Sequence, residues 1–183
     1  MRYAIVLYLD EKSETRLCHL QEKMVQEGLS AVLPESQRWR PHLTLIKLGG
    51  VEDEPLLLDL LRRYAYERAP LGLRMESLGV FLDLREIFLA PAPTSALLKD
   101  HEDLYDRADR QQMSAERRYS PDCWTPHVTI VDGVARERLG RAVQIASENL
   151  ELPMVARVIS IGVLRISQDS SRIEKVREFD WGR

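Results

Sequence analysis

Two stretches, Trp39-Arg40-Pro41-His42-Leu43-Thr44-Leu45 and Trp124-Thr125-Pro126-His127-Val128-Thr129-Ile130, share the pattern Trp-x-Pro-His-aliphatic-Thr-aliphatic. They lie 85 residues apart in a chain that holds only three Trp and four His, which makes chance a poor account of the match. An echo follows each copy, Ser77-Leu78-Gly79-Val80 and Ser160-Ile161-Gly162-Val163, 83 residues apart. With the spacing nearly constant, residues 1–183 read as a single domain built of two pseudo-symmetric lobes of about 85 residues.

Within each copy the local physics is the same. Proline biases the residue before it toward extended backbone and can open a strand, where its missing N–H does no harm. Alternate side chains of a strand share a face, so His42 and Thr44 point one way while Leu43 and Leu45 point into a core; His127 and Thr129 do likewise. Neighbours on one face stand roughly 6–7 Å apart. A pseudo-twofold relating the copies brings two imidazoles and two hydroxyls to one cleft.

Outward from the motifs, strands are expected over Tyr3 to Leu9, Leu43 to Leu48, Leu71 to Phe81, Ile87 to Leu89, Val128 to Val131, Val155 to Ile166 and Arg172 to Phe179. Helices are expected over Lys12 to Glu27, around Leu56 to Tyr64, from a Thr94 or Ser95 cap to about Gln112, and from Arg136 to Asn149. Asp83-Leu84-Arg85-Glu86 reads as a turn between two strands. The order strand, helix, strand, strand occurs twice, and the alternation of strands and helices predicts an α/β or α+β fold.

With 44% hydrophobic residues the chain can bury a real core. Acids outnumber bases 29 to 26, so no global positive field would hold it on nucleic acid non-specifically. No apolar run approaches the roughly 20 residues of a spanning helix, and Met1 to Asp10 reads as a first strand, not a signal segment. Two cysteines, Cys18 and Cys123, make no disulfide framework and fit a reducing cytoplasm. Cys18-His19 and Cys123…His127 match no common zinc spacing, so no metal is expected.

Two His and two Thr in one cleft suit in-line displacement at phosphorus. One neutral imidazole takes a proton from the nucleophile and one protonated imidazole gives a proton to the leaving oxygen. The hydroxyls donate to the phosphoryl oxygens where negative charge accumulates. Neither metal nor cofactor is required for that division of labour.

The repeated His-x-Thr-hydrophobic, His42-Leu43-Thr44-Leu45 and His127-Val128-Thr129-Ile130, resembles the defining pattern of the two-histidine phosphoesterases, which include 2′–5′ RNA ligase-like proteins and 2′,3′-cyclic nucleotide phosphodiesterases. The approach Tyr119-Ser120-Pro121-Asp122-Cys123-Trp124-Thr125-Pro126-His127 is similar to that of bacterial members. The resemblance implies a bilobed, pseudo-twofold α+β (α/β) fold, with two antiparallel sheets flanked by helices around a central cleft, acting without metal on RNA termini or small cyclic nucleotides. It also implies that His42 and His127 are general base and acid in an order the near-symmetry leaves open, and that Thr44 and Thr129 hold non-bridging phosphate oxygens. Hydrolysis of 2′,3′-cyclic phosphates is the leading reading. A non-catalytic RNA-end or phosphate-binding module and a 2′–5′ RNA ligase are the alternatives. Some ligase-like members carry an Arg past the second motif, where this chain has Val131-Asp132-Gly133 and places its cation after the first motif instead, at Lys47. That departure favours hydrolysis over ligation.

Four further residues are candidates for substrate contact. Trp39 and Trp124 either stack a base or pack the strand entries. Lys47 can meet a phosphate. Arg118, with Arg107, Arg110 and Arg117, either tracks an RNA backbone or pairs with the interspersed Asp103, Asp106, Asp109 and Glu116. His19 and His101 read as exposed or structural. The chain is expected to be a cytoplasmic monomer.

Overall fold

The computed structural model describes residues 2–29, 40–167 and 173–182. Its strands are β1 (Arg2–Leu9), β2 (His42–Gly49), β3 (Gly72–Phe81), β4 (Glu86–Pro91), β5 (Ser114–Ala115), β6 (Val128–Val131), β7 (Met154–Ile166) and β8 (Ile173–Asp180). The helices are α1 (Glu11–Gln26), α2 (Glu54–Tyr66), α3 (Ser95–Arg110) and α4 (Leu139–Asn149). Side-chain oxygens cap three of them: Asp10 accepts from the Ser13 N–H, Asp53 from Leu56 and Thr94, one of the two caps expected for α3, from Leu97. The four-residue β6 starts on the residue expected. The two-residue β5 pairs only with the end of β2, too short to show a period in sequence.

The fold is α+β, and every strand pair is antiparallel. The expected pair of sheets is joined into one sheet of eight strands in the order β1-β2-β6-β4-β3-β7-β8, with β5 beside β2 and a further pairing of β1 with β7. The junction between the two motif strands is narrow, a single pair, Leu43 with Val128. The repeat is visible in the pairing: β1-α1-β2-α2-β3 is matched by β4-α3-β6-α4-β7. The third strand of each half is exchanged, because β3 pairs with β4 and β7 pairs with β1.

Alternation along β1 separates the two faces of the sheet. Tyr3, Ile5, Leu7 and Leu9 join the main core with buried residues of all four helices; Ala4, Val6 and Tyr8 form a second cluster with Leu164 and Ile166 on the other face. The helices correspond as well as the strands. Buried Ser13, Leu17, Leu20 and Met24 of α1 recur at a constant step of 84 as Leu97, His101, Leu104 and Ala108 of α3. His101 therefore occupies the place of a core leucine.

Candidate active site

The pair Leu43–Val128 sets the site. Both residues are fully buried in the main core. Their neighbours His42, Thr44, His127 and Thr129 therefore point to the opposite face. In this register His42 stands across from Thr129 and Thr44 across from His127. Diagonal neighbours of such a pair are roughly 7–8 Å apart, a separation at which two imidazoles straddle a tetrahedral phosphate.

Each imidazole is held the same way. Nδ1 of His42 donates to the Arg40 carbonyl at 2.7 Å, and Nδ1 of His127 donates to the Thr125 carbonyl at 2.7 Å. A carbonyl oxygen only accepts, so Nδ1 carries the proton in both rings when neutral and Nε2 carries the lone pair. An aromatic ring meets each imidazole edge-on: Tyr8 lies 6.3 Å from His42, and Phe81 and Phe88 lie 5.0 and 5.4 Å from His127. The Ser-aliphatic-Gly-Val echo seats those rings. A Cβ on Gly79 would stand 2.2 Å from the Phe88 ring, and one on Gly162 would stand 2.4 Å from the Tyr8 ring. An arginine covers each aromatic group in turn: Arg40 lies 4.1 Å above Tyr8, and Arg118 lies 5.1 Å from Phe81.

Beyond each motif a bulge resets the alternation. Ile5 pairs with Ile46 but Val6 with Thr44, leaving Leu45 as an extra residue on β2; Ile87 pairs with Val131 but Phe88 with Thr129, leaving Ile130 extra on β6. Strict alternation would put Lys47 on the core face. The bulge instead pairs it with Ala4, on the face of Val6 and Tyr8 and hence of His42 and Thr44. Its ammonium lies 5.5 Å from the Tyr119 ring, and its charge acts on His42.

The electrostatics of the two motifs differ. Burial holds the His42 pKa below its ordinary value, and the positive charges of Lys47, His127 and Arg40 act in the same direction against the hydrogen bond to the Arg40 carbonyl. Beside the second motif stands Glu86, which the sequence offered only as the end of a turn. It is the first residue of β4, 7% exposed. Its Oε1 accepts the Thr129 hydroxyl at 2.7 Å and lies 3.5 Å from Nε2 of His127. Nothing in the residue pattern marks a polar side chain at a strand start as site-facing; the bulged pairing that places it there appears only in three dimensions.

A family model described as the 2′-5′ RNA ligase superfamily matches residues 7–170. The chain belongs to that superfamily. Solved structures with the same fold include TT0787 of Thermus thermophilus at 19% identity and TM-score 0.68, covering 100% of both chains. E. coli LigT in complex with 3′-AMP is similar at 17% identity and TM-score 0.67, covering 100% of this chain and 98% of that one. LigT complexed with NADP+ gives 19% identity and TM-score 0.63, with coverage of 100% and 98%. No curated protein matches the chain.

The other candidates fall into place around this superfamily frame. Trp39 lies outside the described residues. Trp124 is buried and packs the protein: its indole stacks on His101 with centroids 3.9 Å apart, and its N–H donates to the Thr44 carbonyl at 3.0 Å. His101 is a core residue whose Nε2 donates to the Tyr119 carbonyl at 3.1 Å. Arg118 pairs with Asp83 at 2.7 Å, while Arg107 and Arg110 pair with Asp103 and Asp106, the helix-surface arrangement. Asp132, which follows β6, is exposed. Cys18 is half-buried and Cys123 exposed, and among the described residues no group of three or more His, Cys, Asp or Glu could hold a metal ion. No helix among the described residues is long and apolar enough to cross a membrane.

Proposed function

We propose that the protein is a metal-independent phosphodiesterase that hydrolyses 2′,3′-cyclic phosphates on RNA ends or nucleotides. The observation that carries this reading is the Leu43–Val128 pair, which sets His42, Thr44, His127 and Thr129 on one face with both Nδ1 atoms tied to carbonyls. The phosphoryl group lies between the two Nε2 atoms; the Thr44 hydroxyl donates to one non-bridging oxygen, and the Thr129 hydroxyl, which here donates to Glu86, turns its hydrogen to the other as the phosphate binds. One Nε2 takes a proton from water as the water oxygen bonds to phosphorus. The other gives its proton to the ribose oxygen as the P–O bond on the far side breaks, leaving a ring-opened phosphomonoester. LigT, which shares the fold, is described in complexes with 3′-AMP, ATP and NADP+, and the same nucleotide class is proposed here as ligand.

His42→Ala and His127→Ala should each lower turnover of a 2′,3′-cyclic mononucleotide by about 10²–10⁴-fold in the presence of EDTA, the range of general acid–base catalysis. Full turnover in either variant overturns the reading. Tight binding of a 2′-phosphorylated end with no hydrolysis across a nucleotide panel marks a binding module instead, and joining of RNA halves marks a ligase.

A further inference from the structure

We propose that Glu86 is a positioning residue that makes the two histidines unequal: set between Nε2 of His127 and the hydroxyl of Thr129, its carboxylate assigns the general-acid role to His127 and the general-base role to His42. The inference rests on the phosphodiesterase reading and deepens it.

The geometry supplies the argument. With Nδ1 of His127 committed to the Thr125 carbonyl, a neutral ring turns the lone pair of Nε2 toward the carboxylate 3.5 Å away, a repulsive contact. A proton on Nε2 makes the same contact attractive. Both side chains are nearly buried, at 12% and 10% exposure, so solvent screens the interaction little. At 3.5 Å it is a contact of charges without a tight hydrogen bond, so the Nε2–H can still turn to a departing ribose oxygen.

The first motif has the opposite surroundings. The β1 residue corresponding to Glu86 is Ala4, which brings no carboxylate to Thr44, and Lys47 pairs with it there. A cation beside His42 favours the neutral ring, whose Nε2 lone pair is what a base requires. Around His127 the neighbours are Phe81 and Phe88 from β3 and β4, Glu86 from β4 and the His42 imidazole of β2, on which the charge of Lys47 acts. Arg118 lies beyond Phe81 and is paired with Asp83, Tyr119 feels the charges of Glu86 and Lys47, and Asp132 is exposed. Glu86 is the one anion within 4 Å of the His127 ring nitrogens among the described residues.

The test is the pH–rate profile of Glu86→Gln with a 2′,3′-cyclic mononucleotide. The alkaline limb, where the general acid loses its proton, should move to lower pH, with a several-fold loss of kcat on that limb. KM should fall, because a negative charge beside the phosphodiester has gone. An alkaline limb that stays in place, or an acid limb that moves instead, overturns the assignment. Should Glu86→Gln not fold, a phosphodiester with a nitrophenolate leaving group decides, since that group departs without a proton. His127→Ala should retain most of its turnover there and His42→Ala should not; the reverse, or equal loss, overturns the proposal. His42→Ala and His127→Ala run on the cyclic nucleotide in the same series keep the two claims apart. If those variants are active, the phosphodiesterase reading fails; if they are inactive and Glu86→Gln leaves the alkaline limb unmoved, only the role of Glu86 fails.

Discussion

β2 and β6 carry the same Pro-His-aliphatic-Thr strand and differ in the charge beside it. What they share holds geometry: Nδ1 on the carbonyl two residues back, a bulge after the Thr, an edge-on aromatic group, and a glycine beneath an aromatic ring. What they do not share sets electrostatics: Lys47 opposite Ala4 on one side, and Glu86 bound to Thr129 on the other. A duplicated frame makes two similar half-sites, and a cation in one with an anion in the other suffices to divide one reaction between them. The same contrast runs into the core, where α1 presents Leu17 and α3 presents His101 at the matching position.

That core difference predicts the largest effect. Burial lowers the His101 pKa from 6.5 to about 4, against its contacts with the Tyr119 and Leu45 carbonyls. Between these values the unfolded chain binds the proton that the folded chain refuses, so stability rises with pH across the window and is lost as pH falls from about 6.5 to about 4. The loss amounts to about 3 kcal/mol. His42, also lowered, adds to it with the same sign. His101→Leu gives the second half the residue of the first. It should lower stability at pH 7.5 by about 1–3 kcal/mol, because the Tyr119 carbonyl loses its donor, and should flatten the acid dependence. Urea unfolding at pH 7.5, 5.5 and 4.5 reads both; an unchanged slope with pH would mean that the two cores titrate alike.

The strand and helix order was legible because periodicity and caps are local, and the motif was legible because it occurs twice. Glu86 was not legible: a glutamate after Asp83-Leu84-Arg85 looks like solvated turn polarity, and only the pairing of Phe88 with Thr129 turns its side chain toward His127. Lys47 was singled out for its charge, yet period-two counting puts it on the wrong face until the extra residue Leu45 is recognised. The exchange of β3 and β7 between the halves, and their fusion into one sheet, are long-range pairings that no local pattern specifies.

The echo around Gly79 and Gly162 offers the next test. Phe88 is stacked on Phe81 with centroids 4.3 Å apart and abuts His127, so it cannot yield to a new Cβ without moving the imidazole. Tyr8 lies between Gly162, His42 and the Arg40 guanidinium. Gly79→Ala and Gly162→Ala should each destabilise by about 1–3 kcal/mol, the usual cost of overpacking, and should lower turnover at 25 °C. Chemical denaturation together with steady-state kinetics checks both. If one position tolerates Ala in both measurements, the two halves do not share this device.

The smallest expected effect separates the charges of the two motifs. Removing the Lys47 ammonium takes away a positive charge that opposes protonation of His42, so the imidazole should hold its proton to higher pH. If His42 is the base, it must be neutral to act, and the acid limb of the rate profile in Lys47→Met should then move to higher pH by less than one unit. That corresponds to roughly a two- to fivefold lower rate near pH 5.5 with little change above pH 8. If Lys47 also meets the phosphate, KM should rise. Lys47→Met moving the acid limb and Glu86→Gln moving the alkaline limb together assign one limb to each half of the repeat. If both substitutions move the same limb, the two motifs share one titration and the asymmetry of charge does not divide the reaction.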